Sequence, residues 1–149
     1  MTVSQVNQFL FFKLPSAYLC GVRVKKLDAK SCTVDVTHRW INQNPFNSMY
    51  FAVQAMAAEL ATGALVMNEI QQSKKRISML VARNESVFTK KATGKIVFTC
   101  LGGETVHKAV SDLKPESDNT TFWLEAVGTN ESGQEVSRFR FEWTLKLKA

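Results

Sequence analysis

The chain has 149 residues, 45% hydrophobic and 21% charged, with 19 Lys plus Arg against 13 Asp plus Glu and a net charge of +6. That length holds one domain, residues 1–149, rather than two, and the composition excludes disorder, collagen and coiled coil. The basic balance favours an anionic partner but does not choose among nucleic acid, a membrane surface and a phosphorylated ligand.

From the N-terminus, Val3, Val6, Phe9, Leu10 and Lys13 are spaced as a short amphipathic helix that Pro15 stops. Two strands follow, Val22–Leu27 and Cys32–Thr37, joined by a tight turn through Asp28. Asn44-Pro45 then reads as a helix start, with Asn as N-cap and Pro at the first helical position. The Ala-rich segment from there to Gln71 predicts one long central helix, about 45–71, roughly 38 Å in length. Gln54, Glu59 and Thr62 interrupt it, so it is not expected to insert into a membrane. Strands are expected at Ile77–Arg83, Gly94–Leu101, Thr121–Val127 and Val136–Leu147, with a short helix at Thr105–Lys114. The last strand alternates best, with Phe139, Phe141, Trp143 and Leu145 on one face. A single apolar helix of this length must be covered on most sides, and a curved antiparallel sheet wrapped around it does so. The fold class is therefore α+β.

Cys20, Cys32 and Cys100 show no C-x-x-C spacing and read as reduced thiols of a cytoplasmic protein. The N-terminal segment lacks the basic stretch and apolar run of a secretion signal. No metal-ligand spacing, P-loop or dinucleotide fingerprint is present. Nucleic-acid binding would rest on charge alone, without an aromatic-basic stretch or a helix-turn-helix, so no nucleic-acid partner is expected.

Between Arg39 and Glu69 the only acid or base is Glu59, placed mid-helix in M-A-A-E-L-A-T-G. A buried carboxylate is costly, and burial raises its pKa. Such a group is a candidate general base or nucleophile; the plainer reading places it solvated at the helix rim. The basic residues Arg83, Lys90, Lys91 and Lys95 are candidate phosphate contacts or simply a solvated strand face.

The element order and the run Asn44-Pro-Phe-Asn-Ser-Met-Tyr-Phe-Ala-Val-Gln-Ala-Met-Ala-Ala-Glu59 resemble the hotdog fold. More closely, they look like the thioesterase-like group known as domain of unknown function 4442. Related thioesterases carry N-x-x-G-x-x-H-G-G and an acid eight positions after the first paired glycine. Laid on this chain, Asn44 takes the Asn position and Asn47 the glycine. Tyr50 replaces the His, Phe51-Ala52 replace the glycines, and Glu59 falls on the catalytic acid. The stretch Val87-Phe88-Thr-Lys-Lys-Ala92-Thr-Gly94 is similar to one beside the coenzyme A site of such enzymes.

The resemblance implies an acyl-CoA thioesterase in which Glu59 activates water or attacks the carbonyl. The Phe51 backbone N–H would stabilise the oxyanion beside Tyr50. Asn44, Asn47, Met56, Thr62 and Phe88 would line the substrate site, and Arg83, Lys90, Lys91 and Lys95 would meet the phosphates. No metal or cofactor is implied, coenzyme A being part of the substrate. Phe51 and Glu59 lie eight residues apart, about 12 Å along one helix, too far to touch one carbonyl. The implied unit is accordingly a homodimer with sites at its interface, or a tetramer of such pairs. The aromatic strand Phe139–Trp143 is one candidate contact surface. The alternative is a hotdog module that binds acyl-CoA or a fatty acyl ligand without cleaving it.

Overall fold

A computed structural model describes residues 1–115 and 119–149. The chain opens with helices α1 (Val3–Lys13) and α2 (Pro15–Leu19), then strands β1 (Arg23–Leu27) and β2 (Cys32–Thr37). The central helix α3 (Phe51–Ser73) leads into β3 (Ile77–Phe88), β4 (Lys95–Cys100), α4 (Gly103–Ser111), β5 (Thr120–Thr129) and β6 (Glu135–Leu147). The six strands form one antiparallel sheet in the order β1-β2-β4-β5-β6-β3.

The sheet curves around α3, as expected for an α+β wrap. Ala57, Ala58, Ala61 and Ala64 are fully buried on the helix. Small side chains let the strands approach closely: a Cβ at Gly63 would stand 3.2 Å from the Trp143 ring. The alternating face of β6 supplies Phe139, Phe141, Trp143 and Leu145, all buried against this core. That burial removes the Phe139–Trp143 row as a surface for another subunit. The thiols of Cys32 and Cys100 are buried and that of Cys20 half-buried; burial, with Cys100 opposite, pushes Cys32 up to about 12.

Two boundaries differ from the sequence expectation for identifiable reasons. The central helix begins at Phe51, not Pro45, and runs to Ser73. Asn44 does use its side chain as a cap does, but on a turn: Oδ1 accepts from the Phe46 and Ser48 N–H groups at 2.9 and 3.3 Å. Asn47 then takes a left-handed φ of 59°, which no helix tolerates. The second difference is β3, which runs on past Arg83 to Phe88. Its polar residues look like loop in isolation. They are cross-strand partners instead, Arg83 to Glu142 at 2.7 Å and Glu85 to Arg140 at 3.2 Å. A bulge between Val81 and Arg83 keeps the pairing in step.

Thr62 fastens helix to sheet. Its buried hydroxyl accepts from Trp143 Nε1 at 3.0 Å and donates to the Glu59 carbonyl at 2.9 Å. Thr62→Val keeps the volume and strands the indole N–H, so urea unfolding is expected to show a loss of about 1–3 kcal/mol. An unchanged midpoint would mean that this bond does not help hold the sheet on α3.

Candidate functional site

The start of α3 is open. Tyr50 is its N-cap, with extended backbone and no side-chain cap. The chain is fixed there by Tyr50 N–H to Asn42 O at 2.9 Å and Met49 N–H to Ala92 O at 2.8 Å. The Val53 and Gln54 N–H groups bond back to Tyr50 O. The N–H groups of Phe51 and Ala52 have no acceptor among the described residues, and both stand at the positive end of a 23-residue helix.

A cavity of about 470 Å³ faces these amides. Asn44, Tyr50, Phe51, Gln54, Phe88, Lys90 and Lys91 line it, so six of the residues singled out from sequence meet there. Phe51 and Phe88 contact each other edge to face at 6.2 Å, and Phe88 rests in turn on buried Phe139 at 5.5 Å. Lys91 Nζ donates to Phe46 O at 3.3 Å and holds the rim. Gln54 was not among the expected site residues. It is only 4% exposed, and its Oε1 has no donor. The signal was available in principle: a polar residue in the apolar first two turns of the helix, three positions after Phe51.

Glu59 occupies a second, narrower depression of about 160 Å³ between α1, α3 and the sheet. Phe9, Leu60, Met67, Met79 and Trp143 surround it, with Lys13 at the edge. The carboxylate makes no hydrogen bond or ion pair among the described residues, and desolvation raises its pKa. The acid singled out in the sequence is thus half-buried and unpaired among the described residues.

The amides and the carboxylate share an uncovered flank. Ala52, Ala55, Met56 and Glu59, at helical spacing, are all only partly buried. The helix packs on β1, β2, β4, β5 and β6. Beyond it, the side chains of Asn84, Ser86 and Phe88 on the inner face of β3 stay exposed. Along this seam Phe51 and Glu59 are about 12 Å apart.

The remaining expected contacts are dispersed. Met56 packs half-buried against the core and lines neither depression. Thr62 is fully buried and serves the helix–sheet bond, so it cannot touch substrate. Asn47 is an exposed turn residue held by its backbone conformation. Arg83 is paired with Glu142 and lies near the Trp123 ring on the outer face of the sheet. Lys95 lines a separate depression with Arg23 and Arg39. The four basic residues therefore do not form one phosphate site; only Lys90 and Lys91 reach the mouth of α3.

Because the raised pKa reflects unfavourable burial of charge, Glu59 lowers stability above its folded pKa and regains it as pH falls through that value. Glu59→Gln is expected to raise the Tm at pH 7, with the gain shrinking as pH drops into the ordinary carboxylate range. A lower Tm for the variant at pH 7 would show that the carboxylate is stabilised in the fold.

No curated protein matches the sequence. Solved structures do. PA5026 from Pseudomonas aeruginosa, a protein of unknown function described as a probable thioesterase, superposes with a TM-score of 0.82 at 21% identity, covering 97% of this chain and 96% of that one. OLEI01261 from Chlorobaculum tepidum, of unknown function, gives 0.84 at 16% identity, covering 99% and 98%. A variant of thioesterase PA1618 from Pseudomonas aeruginosa gives 0.74 at 12% identity, covering 99% and 96%. At these identities the likeness shows the hotdog fold. Residues 3–145 match the family described as domain of unknown function (DUF4442), and the chain belongs to that family.

Proposed function

We propose that the protein hydrolyses an acyl thioester, with acyl-coenzyme A as the substrate class and a homodimer as the working unit. The observation that carries this reading is Glu59, an unpaired, desolvated carboxylate on the same open flank as the unpaired amides of Phe51 and Ala52. In the reaction Glu59 takes a proton from water, and the resulting hydroxide adds to the thioester carbonyl carbon. The Phe51 N–H, aided by the helix dipole, holds the oxyanion. Collapse breaks the C–S bond; the thiolate takes the proton back from Glu59, and a thiol and a carboxylic acid leave, the acid then losing its own proton to solvent. Direct attack by Glu59 through an anhydride is the other form of the same assignment.

One helix cannot bring both groups to one carbonyl, so each site takes Glu59 from one subunit and the Phe51 N–H from the other. The edge strand β3 supports this. It is 12 residues long, and Leu80, Val87 and Phe88 are 67%, 59% and 44% exposed along it. An edge of that length and character pairs readily with another strand. Pairing with a second copy extends the sheet and covers the open seam. In this arrangement Lys90 and Lys91 meet the phosphate nearest the pantetheine arm, and Gln54 Oε1 accepts from a pantetheine amide. The apolar depression beside Glu59 receives part of the acyl chain.

One feature favours the alternative of ligand binding without cleavage: the Phe51 side chain, 55% exposed, stands with Phe88 across the mouth and narrows the approach to the amide. A thiol-release assay over acyl-CoA chain lengths separates the two. Hydrolysis of at least one thioester, cut about 10²–10⁴-fold by Glu59→Gln, is expected. An acid limb in kcat/KM above the ordinary glutamate range is expected from the raised pKa, because only the carboxylate is a base. Phe51→Pro deletes the amide proton at a helix position that accepts proline, and should cost about 10²–10³-fold relative to Phe51→Ala. Bound acyl-CoA with no thiol release from any thioester would establish the binding module instead.

A further inference from the structure

A depression of about 580 Å³ lies apart from the site at α3, where the outer faces of β1, β2 and β4 meet the turn that starts at Arg39. Arg23, Lys25, Arg39 and Lys95 line it, with Asp35 as the one acid. Lys25 Nζ stands 3.8 Å from that carboxylate and offsets it, which leaves three cations in excess.

Two of the three are held in place by the fold. Arg23 Nη1 donates to the carbonyls of Tyr18 and Val22, both at 2.8 Å, and its guanidinium lies 3.5 Å over the Tyr18 ring. Its remaining N–H groups stay available. The Arg39 guanidinium rests on Gly21, whose φ is +90°; a Cβ there would overlap it. The side-chain nitrogens of Arg39 and Lys95 have no hydrogen-bond or ion-pair partner among the described residues. Like charges gathered at one place repel each other, and a fixed fork of N–H groups matches a phosphate.

The position relates this depression to the thioester site. Lys95 is three residues from Ala92, and Arg39 five from Asn44; Ala92 and Asn44 both line the mouth of α3. The two depressions thus flank the same two chain segments.

We propose that this depression is a phosphate site, and that it takes the ribose 3′-phosphate of coenzyme A while the thioester lies at α3. The ligand's identity rests on the thioesterase reading; the phosphate site itself does not. The first test is an amide NMR titration with inorganic phosphate. Saturable shifts are expected at Gly21, Arg39 and Lys95, and the double variant R39A/K95A, which changes only exposed side chains, should raise Kd about tenfold or more. Shifts centred on Lys90 and Lys91 instead, or no saturable shift, would overturn the site. The second test compares coenzyme A with dephospho-coenzyme A, which lacks only the 3′-phosphate. Coenzyme A should bind more tightly, and R39A/K95A should erase the difference while K90A/K91A weakens both alike. Equal binding of the two by the unaltered protein would overturn the 3′-phosphate assignment. If neither coenzyme binds while the inorganic phosphate shifts persist, the thioesterase reading fails and the phosphate site stands.

Discussion

The architecture depends on one constraint: a single helix has to be buried in a sheet of six strands, and it cannot cover all of them. Five strands close on α3, drawn in by Ala57, Ala58, Ala61 and Gly63. The sixth, β3, hangs on β6 through ion pairs and apolar registers and leaves the inner face of its second half, Asn84, Ser86 and Phe88, open. The open flank of α3 and the open face of β3 are two sides of one seam. The unpaired amides of Phe51 and Ala52 and the unpaired carboxylate of Glu59 all lie along it.

Within that seam, placement sets the chemistry of each group. The same Glu side chain at the solvated end of the helix would be an ordinary surface acid. Eight residues into the helix, among Phe9, Met79 and Trp143, it loses hydration and gains no partner, so its charged form is held at higher free energy. That makes it a stronger base and a burden on the fold at once, a trade common to catalytic groups. The amides of Phe51 and Ala52 are the counterpart: donors left unpaired because Tyr50 caps with its backbone only.

Much of this is legible in sequence, and the exceptions have physical causes. The α+β wrap follows from one Ala-rich helix among alternating strands, and Glu59 stands out because no other residue between Arg39 and Glu69 carries a charge. The helix start at Asn44-Pro45 misleads because the same two residues also make an Asn-centred turn. Only the tertiary bonds of Tyr50 to Asn42 and Met49 to Ala92 decide between them. Periodicity places Phe139 to Trp143 on one face but does not say whether that face meets α3 or a second chain. Charge alone cannot sort Arg83 from Lys90, since what separates them is a cross-strand partner, Glu142, 59 residues away. The polarity of Gln54 is legible, but its missing donor and the Arg39–Gly21 contact need coordinates, because they lie in what a side chain fails to bond or rests on.

The proposed site combines Glu59 of one subunit with the Phe51 amide of the other. Mixing separately inactive Glu59→Gln and Phe51→Pro proteins, after unfolding and refolding together, tests it directly. Random reassortment makes half the dimers mixed, each with one intact site of two, so about a quarter of wild-type thioesterase activity should return. Activity no greater than the sum of the two parents, in a mixture shown to contain mixed dimers, would contradict the shared site.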